Sequence, residues 1–407
     1  MSKMKMILAT HQAPMIGHAA AYANSLNALV PAIYQALYVT SRELTGFIPS
    51  VSRVVGAERV AVGQSITYPV SPEQVAYDIT PSMTVPEPPD NTFTTDTMAI
   101  TKARAVPFGF TGEEQKFLNS GGLGYLGAQG MLIAEGLRTL TNEIETDISA
   151  VAAAGASRAY GTAGTTPFGS GDLTDLSQLQ KILDDNGAPA SGRSAILDTS
   201  AAAKLRAIGN ISKVNEAGTN MTLRNGELLD IYGLSIKQTG QPVTKVKGTA
   251  AGSTTNTAGY AKGATVITLA SAGTGTITAG DVITFAGDTN KYVVASGDAD
   301  VSNGGTITLQ KPGLRVAIPT AATAITVGGN YTANVAFSQD AIRVAMRPPA
   351  APVEGDLALD RMLITDPYSG VTFEFSIWPG YRKVRGEIAL AWGQKAISPQ
   401  HISLLLG

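Results

Sequence analysis

From Val51 to Thr111 the apolar positions fall at every second residue. Val60, Val62, Ile66, Tyr68 and Val70 alternate with polar neighbours, and Met98, Ile100, Val106, Phe108 and Phe110 do the same on the return. Period two marks strands with one buried face. Between the two runs lies "SPEQVAYDITPSMTVPEPPDNTFTT", rich in Pro and polar residues. A connection of that length without regular structure is unusual inside a compact domain and tends to be functional. The pattern predicts one long two-stranded arm with an irregular tip. An isolated hairpin is marginal in water, so such an arm is expected to lie on a partner.

Elsewhere the period is helical. Over 19–45, Leu26, Leu29, Ile33, Leu37 and Leu44 keep approximate helical spacing around a break at Pro31. This amphipathic arm needs cover for its apolar face, from its own subunit or from a neighbour. Further on, Ile133, Leu137, Leu140, Ile144, Ile148 and Val151 recur at spacings of four and three, with Glu135, Arg138, Asn142, Glu145 and Ser149 on other faces. That predicts one helix of about 25–30 residues within 123–155, roughly 40 Å long, suited to a structural spine.

Residues 172–240 alternate between helix and strand. Asp172 is placed to N-cap a helix ending at Asp185, with Gly187 as its stop. "RSAILDT", "SAAAKLRAIG" and "LDIYGLSIKQT" then read as strand, helix and strand. From Val246 the composition turns to Thr, Gly and Ala, with no Glu up to residue 328. Short strands are expected at "TVITLA", "DVITFAG", "KYVVAS", "TITLQK" and "AITV". They predict a small all-β barrel or sandwich inserted into the α/β pattern, which resumes at "ANVAFSQDAIRVAMRPP". The last segment holds a hairpin turning at Asp366–Gly370, then the strand "KVRGEIALAWG". Trp378 and Trp392 are expected in a packed sheet.

One motif invites a chemical reading. "GLGYLG" at 122–127 matches the Gly-x-Gly-x-x-Gly fingerprint of dinucleotide-binding loops. That fingerprint needs a buried strand before it and an acidic residue about 20 positions on, at the end of a second strand. Here the preceding "TGEEQKFLNS" is polar and helix-like, and Glu143 and Glu145 lie inside the following helix. The glycines therefore mark a loop at a helix entrance.

Composition narrows the chemistry further. The chain has no cysteine, and its three histidines are His11, His18 and His401. Disulfides and thiolate sites are excluded, and a histidine-based triad or metal site is disfavoured. Carboxylate pairs such as Glu113/Glu114 and Asp184/Asp185 fall at helix ends, and "GDTN" and "GDAD" lack EF-hand spacing. No catalytic, cofactor-binding or metal-ligating residue is assigned, and no enzyme activity is expected. With 44% hydrophobic residues, 15% charged and a net charge of −2 over 407 residues, the chain suits two or more domains. A balanced charge argues against tight sequence-independent DNA binding. No stretch approaches the apolar length of a membrane span, so a soluble protein made in a cytoplasm is expected.

The order of these segments resembles the major capsid proteins of tailed double-stranded-DNA phages, the Hong Kong 97-type α+β fold. More narrowly, it resembles the coat proteins of short-tailed podophages that carry an inserted domain. The resemblance rests on "AVPFGFTGEEQKFL" leading into the spine, "SAILDTSAAAKLRAIG" with "LDIYGLSIKQTGQPV", "GDVITFAG" with "NKYVV", and "FSQDAIRVAMRPP". It implies an N-terminal arm over 1–50, an E-loop over 51–111, and a P-domain spine and following loop over 112–171. It implies further an A-domain over 172–245 that returns over 331–350, an I-domain over 246–330, and P-domain strands with the C-terminus over 351–407. It also implies self-assembly through hexamers and pentamers into an icosahedral shell in the virion, built in the host cytoplasm. The implied partners are a scaffolding protein directing a procapsid, a portal protein, a decoration protein and packaged DNA held non-specifically, with no membrane. The absence of a long leader before the arm favours a separate scaffolding protein. Arg59, Lys102 and Arg104 on the arm, and Arg382, Lys383 and Arg385 near the end, are candidate contacts with neighbouring subunits; the alternative is that they are solvated surface. A different class, an adhesin-like surface-binding module built around the Thr/Gly-rich β-domain, is the alternative function.

Overall fold

The computed structural model describes residues 26–407 apart from 56–57, 71–75, 77–78, 80, 82, 84–93, 121–123, 213–227 and 229. The first 25 residues of the expected arm, most of the expected tip and Gly122–Leu123 of the glycine motif lie outside the described residues. In chain order the elements begin with helix α1 (Leu26–Val39) and strands β1 (Ser52–Val55), β2 (Ser65–Val70), β3 (Thr94–Ala99) and β4 (Lys102–Thr111). Helices α2 (Gly112–Ser120) and α3 (Tyr125–Ala154) follow, then β5 (Arg158–Tyr160), α4 (Thr174–Asp185), β6 (Arg193–Leu197), α5 (Thr199–Arg206), α6 (Gly209–Ser212), β7 (Ser235–Gln238) and β8 (Thr244–Lys245). Next come β9 (Val266–Leu269), β10 (Val282–Phe285), β11 (Lys291–Ser296), β12 (Gly305–Leu309) and β13 (Ile325–Val327). The chain closes with β14 (Tyr331–Ser338), β15 (Ile342–Arg347), β16 (Asp360–Thr365), β17 (Thr372–Gly380), β18 (Lys383–Ala396) and β19 (Ile402–Leu406).

Helix α3 is the expected spine, 30 residues long. Ile133, Leu137, Leu140, Ile144 and Ile148 are buried in the main core; Val151, the last of the stripe, is only half-buried. Helix α1 crosses α3 at Gly130, where an added Cβ would stand 2.7 Å from the Ala32 carbonyl oxygen. Only glycine permits that approach. Leu29 and Ile33 are buried in the same core, so the subunit itself covers this face. The expected break at Pro31 does not occur, and α1 runs through it. The ring forgoes one bond to the Asn27 carbonyl in the first turn, and packing on α3 offsets the loss. Two polar residues expected on outer faces of the spine, Glu145 and Ser149, are fully buried. Each accepts hydrogen bonds from backbone amides that arrive from other segments, Glu145 from the Gly46–Ile48 turn and Ser149 from Val243.

Two sheets flank the spine. One has six strands in the order β1-β15-β18-β17-β16, with β4 along the other side of β18. The second has eleven, with β13-β10-β11-β5-β19-β14-β6-β7 as its main path. The mixed α+β class is the expected one, but the pairing differs from expectation in three places. Strand β4 is not the return strand of the arm. It runs antiparallel to β18 from Lys102↔Trp392 to Thr111↔Lys383, so the arm proper is the two-stranded sheet β2–β3. The return segment 331–350 divides, β14 joining the eleven-stranded sheet and β15 the six-stranded one. The C-terminal β19 leaves the strands before it and inserts between β14 and β5. Alternation identified β4 as a strand without fixing its partner, whereas β19 was not expected as a strand.

The hairpin β16–β17 turns at Asp366–Gly370 as expected. Trp392 is fully buried and Trp378 half-buried. Helix α4 starts at Thr174, two residues beyond the proposed cap; Asp172 instead accepts the Thr174 amide at 3.0 Å. Gly187, at φ +72°, ends it. All five strands expected in 246–330 are present as β9–β13, around a core that includes Ile267, Ile283, Tyr292, Val294 and Ile307. This β-rich segment is not detached. Strand β11 pairs with β5 through Tyr292↔Arg158 and Lys291↔Ala159. Its entry and exit lie side by side, β8 on β14, and the Lys247 amide donates to Asn330 Oδ1 at 3.0 Å.

Candidate assembly surface

Among the described residues, strands β2 and β3 pair with each other and with no other strand. A lone pair of strands has half its backbone groups and one whole face without cover. Its root is fastened to its own subunit. Tyr68, Met98 and Ile100 are buried with Val60, Ala345 and Ala391. The Tyr68 hydroxyl donates to Asp96 Oδ2 at 2.5 Å, and Lys395 Nζ donates to Asp96 Oδ1 at 2.6 Å. The Lys395 ammonium, helped by the Tyr68 hydroxyl, holds the Asp96 carboxyl down at about 2. Burial, reinforced by Asp96, pushes the Tyr68 hydroxyl up. The Arg343 guanidinium lies 5.4 Å from the Tyr68 ring centre. Beyond this root the described part of the tip exposes Ile79 and Met83 completely.

Helix α2 is a second element with little cover among the described residues, held to α3 where Asn119 Oδ1 accepts the Tyr125 amide at 2.9 Å. None of its residues is buried, and Phe117 is 76% exposed. It holds its shape by local chemistry instead. Thr111 and Glu114 form a capping box, in which the Thr111 amide donates to Glu114 Oε2 at 2.7 Å and the Glu114 amide to Thr111 Oγ1 at 3.3 Å. That exchange lowers the Glu114 carboxyl below its ordinary value. The tip of the β17–β18 hairpin stands beside it, with the Gly112 amide donating to the Arg382 carbonyl at 3.3 Å. Tyr381 on this tip is 91% exposed. These exposed apolar side chains are candidates for contact with another chain.

The six candidate cations divide by their surroundings. Arg59 pairs with Glu374 at 2.6 Å, and Arg104 with Glu143 at 3.3 Å. Lys102 reaches Asp147 at 2.8 Å and Glu143 at 3.5 Å, and Asp147 also accepts the Trp392 indole N–H at 2.9 Å. Asp147 above all, with Glu143, raises the Lys102 ammonium above its ordinary value. Arg385 pairs with its own strand neighbour Glu387 at 3.0 Å. Arg382, in the left-handed region at φ +54°, and Lys383 form the exposed end of the hairpin next to Tyr381. The structure thus brings Lys102 and Arg104 together on the spine, gathers Arg382, Lys383 and Arg385 at the hairpin end, and places Arg59 apart. Among the described residues no group of three or more His, Asp or Glu converges as a metal site, and no helix is long and apolar enough to cross a membrane. The glycine motif is preceded by α2, a helix, where a dinucleotide fold places a strand.

The chain matches no protein-family model and no curated protein sequence. Solved structures are similar to it along most of its length. The capsid structure of the cyanophage P-SCSP1u aligns over 90% of this chain and 89% of that one, at 10% identity and a TM-score of 0.49. A structure from Mycobacterium phage Che8 covers 90% and 92%, at 13% identity and 0.46. The asymmetric unit of the bacteriophage PhiM1 mature capsid covers 98% and 92%, at 8% identity and 0.43. A virus-like particle from Pyrococcus furiosus covers 93% and 98%, at 10% identity and 0.41.

Two parts of this surface escaped sequence reasoning. The exposed Phe117 sits in a segment that reads as an ordinary polar helix, although the Thr-x-x-Glu spacing at 111–114 is a visible sign of a helix that stands without burial. The Asp96–Lys395 tie joins residues 299 positions apart, and no local signal announces it.

Proposed function

We propose that this chain is a major capsid protein that self-assembles, through hexamers and pentamers, into the icosahedral shell of a tailed phage and so resides in the virion. The observation that carries this reading is the apolar material exposed among the described residues, Ile79 and Met83 beyond the root of the β2–β3 arm and Phe117 on helix α2. A monomer has no use for it. In this reading the arm is the E-loop, α3 the spine of a P-domain, the sheet around β6 and β14 the A-domain, and 246–330 the I-domain. The exposed Arg382–Lys383 end is the cationic group available to a neighbour, while Arg59, Lys102, Arg104 and Arg385 serve chiefly within the subunit. A scaffolding protein, a portal protein, a decoration protein and packaged DNA are the further partners of this reading. No catalytic role belongs to it.

Size-exclusion chromatography and electron microscopy of the expressed chain test the reading. Capsomers or closed megadalton particles are expected; a compact monomer under every condition that favours assembly counts against it. Replacing 71–95 by a short glycine linker is expected to leave the core folded, because it spares the fastened root at Tyr68, Asp96, Met98 and Ile100, and to abolish particles. Normal particles from that deletion would remove the arm from the mechanism.

A further inference from the structure

Away from these surfaces, a cleft of about 490 Å³ opens where β5, the loop 161–170 and the end of β19 meet the β-rich segment. Its walls carry the hydroxyls of Thr162, Thr165, Thr166, Ser170 and Thr289. Two lysines bind the same loop. Lys291, on the cleft wall, donates its ammonium to the Gly161 carbonyl, and Lys204 donates to the Thr166 carbonyl at 3.4 Å. Neither forms an ion pair among the described residues. Burial alone pushes the Lys291 ammonium down, with no carboxylate opposing the shift. The acid on the cleft wall, Asp175, instead accepts the Phe168 amide at 2.6 Å. Phe168 is itself buried and held at φ +62°, a costly conformation for a bulky side chain.

An ammonium has three donors, and a half-buried one that meets a single neutral carbonyl lacks both hydrogen bonds and counter-charge. A hydroxyl-lined wall beside it supplies further donors. We infer that this cleft is an oxyanion site, in which Lys291, with Lys204 beside the loop, receives a phosphate or carboxylate group. The group comes either from a free anion or from an acidic side chain of a second copy of the chain, and the second source alone rests on the shell reading.

The test uses the full chain before assembly, with inorganic phosphate as probe at constant ionic strength held by chloride. Phosphorus NMR line broadening and thermal shift are expected to show saturable binding, weakened about tenfold or more in Lys291→Met, the loss of one charge-assisted contact. Lys291→Arg is expected to keep it. Should Lys291→Met fail to fold, Lys204→Met gives the same comparison with a severalfold loss. Absence of saturable binding, or equal binding by wild type and both Met variants, overturns the site. Phosphate that inhibits particle formation in wild type and in Lys291→Arg, while Lys291→Met forms fewer particles whether phosphate is present or not, identifies a second copy as the source; binding without any effect on particles identifies a free anion. A chain that binds phosphate but never forms particles keeps the site and refutes the shell.

Discussion

Replacing Glu145 with Ala is expected to lower the unfolding free energy by about 3–5 kcal/mol, because three buried amides lose their acceptor at once. Oε1 accepts the Gly46 amide at 2.6 Å and the Phe47 amide at 2.8 Å, and Oε2 accepts the Ile48 amide at 3.0 Å. Glu145, Phe47 and Ile48 are fully buried, so bulk water does not compete for these amides in the wild type. Loss on that scale is a large fraction of the stability of an ordinary domain. Glu145→Gln is expected to cost less, about 1–2 kcal/mol, since one oxygen remains while its amide group meets a backbone N–H. Burial raises the Glu145 carboxyl above its ordinary value near 4.5, opposed by the amides of Phe47, Ile48 and Gly46 and by the Thr239 hydroxyl. A group raised on folding contributes stability that is complete below its unfolded pKa and is lost as pH rises through the folded one. The advantage of wild type over Glu145→Gln should therefore be greatest below about pH 4.5 and shrink as pH rises. Urea unfolding of the unassembled chain across pH measures both effects. An alanine variant within about 1 kcal/mol of wild type would show that the Gly46–Ile48 turn finds other acceptors.

The same residue shows where sequence reasoning stops. The spine was legible because its apolar spacing is a local property of 30 consecutive residues. That spacing sorts side chains by face, and it places Glu145 away from the apolar stripe. A helix crossed by α1 and flanked by sheets is buried on more than one side, and the turn that covers Glu145 arrives from about 98 positions away. Strand β4 repeats the lesson. Alternation of Val106, Phe108 and Phe110 revealed a strand with one buried face, yet gave no information on whether it pairs with β3 or β18. The five strands at 266–327 were legible because Gly, Asn and Asp turns delimit each of them locally. The candidate cations were visible as charges, while their partners Glu374, Glu143 and Asp147 depend on how distant segments meet.

Asp366→Ala is expected to cost about 3–5 kcal/mol, because it strands a buried guanidinium. Arg42 grips Asp366 with two nitrogens, each 3.2 Å from one carboxylate oxygen, and both side chains are nearly or fully buried. Asp366 Oδ2 also accepts the Ser369 hydroxyl at 2.7 Å and the Ser369 amide at 3.2 Å, so the carboxylate organises the β16–β17 turn as well. The pair fixes the segment leaving α1 to the far end of the six-stranded sheet, a tie across 324 residues. Removing both partners leaves no orphaned charge. Arg42→Met with Asp366→Ala is therefore expected to lose less than the sum of the single losses, by about 1–3 kcal/mol in a double-mutant cycle. Agreement of the double variant with that sum to within about 0.5 kcal/mol would mean the two residues act independently. On the shell reading, the single Asp366→Ala variant is also expected to assemble poorly, because it loosens the tie between the segment after α1 and β16, and α1 and β16 border one apolar groove lined by Tyr34 and Leu363.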